Sequence, residues 1–233
     1  MSESDFWSRP PQIRLVLGSQ SPRRRELLAG LLGSEQFDVV SPRLAVEPDF
    51  AGLTTLEAIE ARLLHVAQLK YQDVTEQLAF QGASACVVAA DTVIVGFDAA
   101  GRPDACEKPP EEDRRAAATL ERWFGELYAG RGHLAKTALC VGVGEAVRTR
   151  IVTTEVWFRS DAARFVPWYL ATGEPFGKAG GYAIQGLGSL FVERVKGSLS
   201  NVVGLPLVET LELLATAGVW GNFARLELGV APE

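Results

Sequence analysis

Apolar positions along the chain fall into short continuous runs and longer helical stripes. Residues 13–17 (IRLVL) are a short apolar run with β-branched side chains, which predicts a first strand. A small-residue turn, GSQSP, follows. Ser21 is placed to cap a helix over residues 23–32 with Pro22 at its start, and Leu27, Leu28 and Leu31 share one face. Residues 37–40 predict a strand, and residues 42–49 a loop. Helical spacing runs over residues 54–74, where Thr54 and Glu57 form a capping-box pattern. Residues 87–95 (VVAADTVIV) are apolar except for Asp91 and Thr92, and their length and valine content predict a buried strand.

The second half continues the alternation. Residues 98–104 predict a turn, and residues 111–128 a helix ended by the glycines at 130 and 132. Strands are predicted at 136–143 and 147–158, a short helix at 161–171 stopped by Gly173, and a strand at 190–195. A last helix over 206–217 aligns Leu207, Leu211 and Leu214, and the segment from Gly218 onward carries no clear pattern. Strands and helices alternate with hairpins mixed in, so the expected class is α/β with a mixed twisted sheet flanked by helices. No internal repeat or linker interrupts it. The chain therefore reads as a loose tail, residues 1–12, followed by a single domain, residues 13–233.

Composition narrows the function. At 233 residues and 47% hydrophobic, the chain can build a core without disulfide or metal staples. Its formal charge of −6 argues against a nucleic-acid polymer as ligand, although one local basic pocket for a small polyanion remains compatible. Cys86, Cys106 and Cys140 form no CxxC pair, and His65 and His133 are the only histidines, which excludes a zinc site of the usual spacing. The N-terminus has no signal-peptide pattern and no stretch is long enough to span a membrane, so a cytoplasmic protein with free buried thiols is expected.

Four segments carry candidate chemistry. In GSQSPRRRELL, residues 18–28, Ser19, Ser21 and the N–H groups of a helix start form an anion cradle, with Arg23, Arg24 and Arg25 beside it. Cations at a helix N-terminus oppose the helix dipole, a conflict that a bound phosphate removes; a solvated basic face is the alternative reading. Asp91 inside an apolar strand needs a partner or a function, and Thr92 faces the other side of a regular strand. In Glu107-Lys108-Pro109 the lysine either reaches a phosphate or decorates a surface turn. Residues 173–188, GEPFGKAGGYAIQGLG, combine glycines with Lys178 and Gln185, whose amide can read a base edge; a plain connector explains the glycines alone. A fifth segment, GSLSNVVGLPL at residues 197–207, reads as structural, with Ser198 and Asn201 making turns before the last helix.

GSQSPRRRELL, AADTVIVG, EKP, EPFGKAGGYAIQG and NVVGLPL occur in the order found in Maf-like nucleotide pyrophosphatases, and the chain resembles that family over most of its length. The resemblance implies a fold like that of the inosine triphosphate pyrophosphatases, with two lobes around a cleft. It implies hydrolysis of a nucleoside triphosphate to the monophosphate and pyrophosphate with a divalent cation, Mg²⁺ or Mn²⁺, and through GYAIQG it points to the dTTP/UTP subgroup. By the same resemblance Asp91 is the proton acceptor. Ser19, Arg23, Arg24, Thr92, Lys108, Lys178 and Gln185 bind substrate, and Glu47 and Asp91 hold the metal. A homodimer is also implied, although no heptad or apolar stripe demands one.

The chain departs from the family pattern at several places. Gly177 stands where Asp precedes the Lys of KAG, Glu107 where Gly is usual, and LAVEPD where an Asp-Glu pair is usual, so Glu47 matches only with an inserted residue. Val66 stands at an expected lysine, with Lys70 one helical turn later on the same face. Two other functions follow from these departures. One is a pyrophosphatase for another modified nucleotide such as 7-methyl-GTP. The other is a catalytically idle nucleotide-binding regulator with a link to cell division.

Overall fold

The first apolar run forms β1, Arg14–Gly18, and the capped helix after it is α1, Pro22–Leu32, in a computed structural model that describes residues 13–44, 47–110 and 113–219. Ser21 caps α1 as expected, its Oγ accepting from the Arg24 N–H at 3.4 Å. The predicted strand at 37–40 shrinks to a two-residue β2, Asp38–Val39. α2, Leu56–Phe80, is longer than its apolar signature suggested, because nothing breaks the helix before Gly82. Its cap is Thr55, whose Oγ1 accepts from the Ala58 N–H, so the expected Thr54–Glu57 box is displaced by one residue.

The long apolar run becomes β3, Ala85–Phe97. The expected turn at 98–104 is real only as far as Arg102: Asp98 accepts from the Ala100 and Arg102 N–H groups, and β4, Pro103–Cys106, then returns along β3. α3, Asp113–Arg122, continues into a wider π-helical turn over Trp123–Tyr128. The hairpin strands are β5, Gly132–Val143, and β6, Ala146–Phe158, each starting earlier than predicted. The predicted helix at 161–171 splits into a 3-10 turn, Ala162–Phe165, and α4, Val166–Ala171. Then come β7, Val192–Lys196, a short α5, Leu199–Val203, and α6, Leu207–Thr216, with Pro206 at its cap position. The expected tail at residues 1–12, the first residues of the predicted helix at 111–128 and the segment beyond 219 lie outside the described residues.

The strands form one seven-stranded mixed sheet in the order β2-β1-β3-β5-β6-β7, with β4 beside β3. β1 runs parallel to β2 and β3, while the other pairs are antiparallel. β3 is the pivot. Its residues 85–89 pair with β1 and its residues 94–97 with β4 on the same edge, while β5 covers residues 86–95 on the other edge. Between those two partners, residues 90–93 have an open edge, and Asp91 and Thr92 sit in that gap. A sheet whose neighbouring strands part in this way leaves a crevice at the parting point.

Alternation along β3 divides the core. Cys86, Val88 and Ala90 face α1 and α6, whereas Val87, Ala89, Val93 and Val95 face α2, whose Ile59, Leu63, Ala67 and Val74 pack against them. A third, aromatic-rich cluster joins Trp123, Phe124, Tyr128, Phe158, Tyr169 and Phe191 beneath the loop of residues 173–188. The three cysteines are buried and free. Among the described residues, no helix is long and apolar enough to cross a membrane.

Candidate active site

The open stretch of β3 forms the floor of a cleft of about 350 Å³. Its walls come from the β1–α1 turn, from residues 177–185 and from the α5–α6 turn. Ser19, Arg23, Arg24, Glu47, Asp91, Thr92, Lys108, Lys178 and Gln185 all line it, so the fold brings these candidates together around one cleft. A second hollow of about 250 Å³ adjoins it on the α2 side and shares Glu47, Asp91, Thr92 and Lys108.

On the α2 side lies an acidic and basic cluster. Lys70 is only 8% exposed, on the buried face of α2, and its Nζ donates to Asp91 Oδ1 at 2.7 Å and lies 3.0 Å from Glu47 Oε2. Sequence reasoning raised Lys70 only as a partial substitute for Val66; Val66 is a core side chain, and Lys70 is the cation that meets Asp91. The signal was a lysine in an apolar helical stripe, which more often marks a snorkelling side chain. Glu107 accepts from the Phe50 N–H, and its pKa is raised, first by burial and then by the charges of Asp49, Asp91 and Glu47.

On the α1 side, Arg24 and Thr92 are committed inside the protein. Arg24 Nε donates to the Gly204 carbonyl at 2.7 Å and its Nη2 to Thr92 Oγ1 at 2.9 Å. Thr92 and Thr137 share a hydrogen bond, and Thr137 donates onward to the Asn201 carbonyl. Gly204 has φ +123°, a conformation that lets its carbonyl face Arg24 where a side chain would be strained. Arg24 thereby ties α1, β3 and the α5–α6 turn together. Asn201 is structural, as expected: its buried amide donates to the Ala135 and Val152 carbonyls and to Thr154.

The remaining cations face the cleft. Arg23 is half-buried with no carboxylate within ion-pair distance among the described residues, and burial lowers its pKa. Lys178 Nζ donates to the Glu174 carbonyl at 2.6 Å; its pKa is lowered by burial and then by Arg23. Lys108 is exposed at the junction of the two hollows, and Gln185 is exposed at the far wall. Arg25 points to solvent instead and does not line the cleft. Like charges half-desolvated beside each other favour a bound anion, because an anion removes their repulsion. The Gly18–Ser21 turn contributes N–H groups at the start of α1 and the hydroxyl of Ser19, which accepts from the Ser21 N–H.

Glu47 and Asp91 offer carboxylate oxygens, the donor type that a hard divalent cation takes. Lys70 touches both Glu47 and Asp91, so positive charge is already favoured between these carboxylates. Among the described residues, no group of three or more His, Cys, Asp or Glu side chains could hold a metal ion unaided. Mg²⁺ commonly takes one or two carboxylates and completes its shell with phosphate oxygens and water.

The profile of Maf-like proteins matches residues 14–217, nearly all of the described fold. The chain belongs to the Maf-like family. This Maf-like protein is 41% identical over 212 residues to a dTTP/UTP pyrophosphatase of Anaeromyxobacter sp. strain Fw109-5, a match covering 88% of this chain and 90% of that one. It is 39% identical over 201 residues to a dTTP/UTP pyrophosphatase of Vibrio vulnificus strain YJ016, covering 86% of this chain and 97% of the relative. A dTTP/UTP pyrophosphatase of Myxococcus xanthus strain DK1622 is 40% identical over 209 residues, covering 89% and 94%. The mixed seven-stranded sheet with its flanking helices is the α/β architecture expected of this Maf-like chain.

Proposed function

We propose that this Maf-like protein hydrolyses pyrimidine nucleoside triphosphates, dTTP and UTP, to the monophosphate and pyrophosphate, and so clears them from the nucleotide pool. The carrying observation is the opposition of two charge types across one cleft. Arg23 and Lys178 line one part of it, the Asp91–Lys70–Glu47 cluster lines the other, and Lys108 stands at the junction. The names of the relatives agree with that chemistry. Residues 13–219 act as one catalytic unit, since every wall of the cleft belongs to the same sheet or to a loop packed on it.

In this reading the triphosphate lies against the β1–α1 turn. Ser19 and the helix-start N–H groups receive phosphate oxygens, and Arg23 and Lys178 neutralise the charge that grows on the departing pyrophosphate. Asp91 accepts a proton from the attacking water as the new bond to the α-phosphorus forms and the α–β anhydride bond breaks. Lys70 fixes the orientation of the Asp91 carboxylate. Arg24 holds Thr92 and the α5–α6 turn in place around it. Glu47 and Asp91 would hold a Mg²⁺ or Mn²⁺ ion together with phosphate oxygens, and that ion would supply charge neutralisation at the phosphates. Gln185, on the wall away from the acidic cluster, reads the pyrimidine.

The test is a panel of common and modified triphosphates, 7-methyl-GTP included, incubated with Mg²⁺ or Mn²⁺, with pyrophosphate and monophosphate both measured. Release of both, fastest from dTTP or UTP, supports the proposal. Nucleotides that bind and survive intact would instead make the protein an idle binder, and a preference for another base would move the substrate within the same reaction class.

A further inference from the structure

The cleft wall that carries Gln185 is held by two side chains that do not line the cleft. Tyr169, on α4, is fully buried in the aromatic cluster, and its Oη donates to Glu174 Oε2 at 2.6 Å. The same Oη accepts from the Ala183 N–H at 3.1 Å. Glu174 accepts two further bonds, from the Leu187 N–H at 2.9 Å and the Gly188 N–H at 2.8 Å. The pinned N–H groups at 183, 187 and 188 bracket Gln185 on both sides. The Lys178 ammonium is received by the main-chain carbonyl of Glu174 and not by its carboxylate.

The choice of a carboxylate here needs an explanation. A negative charge a few residues from a phosphate-binding lysine repels a polyanionic ligand, so electrostatics alone would disfavour it. Three donors converge on this side chain, however, and only a carboxylate accepts from all of them with no donor of its own. Glutamine would turn an NH₂ group against a backbone N–H. Burial opposes ionisation of Glu174, but the bonds from Tyr169, Leu187 and Gly188 outweigh it and lower its pKa. The loop also lies close over the carboxylate: a Cβ at Gly186 would lie 2.1 Å from Glu174 Oε1, so a side chain there would displace it.

We propose that Tyr169 and Glu174 are positioning residues for base recognition: they fix the segment 183–188 and thereby set the placement of Gln185, on which discrimination among nucleobases depends. This rests on the reading of the cleft as a nucleoside triphosphate site, and it adds two residues that touch no ligand. It separates the cleft into a phosphate part, built on α1 and Lys178, and a base part, built on the Tyr169–Glu174 pair.

The experiment compares wild type with Tyr169→Phe and Glu174→Gln. Affinities are measured for α,β-methylene-UTP, α,β-methylene-GTP and inorganic tripolyphosphate, with kcat/KM for UTP and GTP alongside. Tyr169→Phe keeps the ring in its aromatic cluster, so the fold persists, and thermal melting confirms this. Loss of one or two hydrogen bonds that hold Gln185 is expected to cut the UTP-over-GTP preference about tenfold in both variants. Tripolyphosphate affinity is expected to stay within about twofold of wild type. A Gln185→Ala variant should show the same pattern without a further loss when combined with Tyr169→Phe. An unchanged preference, or equal losses for UTP and tripolyphosphate, would overturn the proposal, as would a wild type without base preference in binding. A wild type that binds with base preference but releases no pyrophosphate would refute the hydrolase reading and leave the positioning result standing.

Discussion

Lys70 Nζ lies 2.7 Å from Asp91 Oδ1 and 3.0 Å from Glu47 Oε2, so one ammonium group from α2 serves both carboxylates of the cleft. The Lys70 and Asp91 side chains are 10% and 13% exposed, whereas that of Glu47 is 46% exposed. The strong interaction is therefore with Asp91, and Glu47 adds little to stability through its own pair.

Removing the ammonium leaves Asp91 largely buried without the cation bonded to it. Breaking one side of such a pair costs about 3–5 kcal/mol, while removing both charges costs much less. Lys70→Met should therefore lower the urea midpoint strongly, and the double variant Lys70→Met/Asp91→Asn should recover most of that loss. Activity should behave differently: pyrophosphate release should fall at least about a hundredfold in both variants, because the proton acceptor is misplaced in one and absent in the other. Full turnover in Lys70→Met would show that the pair is only structural.

Arg23 lowers the readiness of Lys178 to hold a proton, after burial, and adds to the same effect at Arg24; a bound polyanion reverses that. Pyrophosphate should thus raise the Tm of the wild type, by an amount that grows with its concentration; at about a hundred times Kd the stabilisation is roughly 2.7 kcal/mol. Lys178→Met should melt within about 2 °C of the wild type without ligand, since its charge is repelled as well as solvated. It should also lose most of the pyrophosphate-induced rise. A rise of equal size in Arg23→Ala/Lys178→Met would place the anion elsewhere.

Acid should destabilise the protein through His133. The side chain is 0% exposed, shares a 2.9 Å hydrogen bond with Tyr182 Oη, and packs against the rings of Tyr128 and Phe158. Burial pushes its pKa down to about 3. The unfolded chain binds a proton near pH 6.5 and the folded one does not, so the unfolded state holds more protons between those values. Stability attributable to His133 is complete above pH 6.5 and is lost as pH falls toward 3, at about 1.4 kcal/mol per pH unit. His133→Gln keeps a polar partner for Tyr182 but does not titrate. Its urea midpoint should fall less steeply between pH 6 and pH 4 than that of the wild type; parallel profiles would contradict the assignment.

Part of the candidate site was legible in the residues themselves, for physical reasons, and the rest only through the family resemblance. Asp91 stood out because ionised groups are rare in apolar strands, and SPRRR because cations at a helix start need an anion. Elements with strong periodicity, such as β3 and α6, were placed to within a few residues. β4 was missed because PDAC is too short and too polar to show alternation. The pairing of Lys70 with Asp91, and the Tyr169–Glu174 pair, were not legible for a different reason. Their importance lies in what tertiary structure sets beside them: an aspartate on another strand for Lys70, and backbone donors up to fourteen residues away for Glu174. Neither contact can be read from the local pattern of the chain.

The glycines of the loop at 173–188 are not interchangeable, and two of them make a controlled comparison. Gly173 and Gly180 have nearly the same backbone, φ +71° and +72°. A Cβ at Gly173 would meet nothing within 4 Å, whereas one at Gly180 would lie 2.6 Å from Ile94 Cγ1 on β3. Gly180 also donates its N–H to the Glu107 carbonyl at 3.0 Å, which seats the Lys178 loop against the segment that follows β4. Alanine at either position should cost about 1–2 kcal/mol for the left-handed backbone. At Gly180 overpacking adds about 1–3 kcal/mol, unless the loop lifts away from Ile94. Lifting would move Lys178 from Arg23, so Gly180→Ala should raise KM for UTP several-fold while Gly173→Ala leaves it unchanged. Shortening the obstructing side chain in Gly180→Ala/Ile94→Ala should return KM toward the wild-type value, since the loop can then seat again. If Gly173→Ala and Gly180→Ala shift KM alike, the backbone alone is responsible, and the contact between the loop and β3 does not place Lys178.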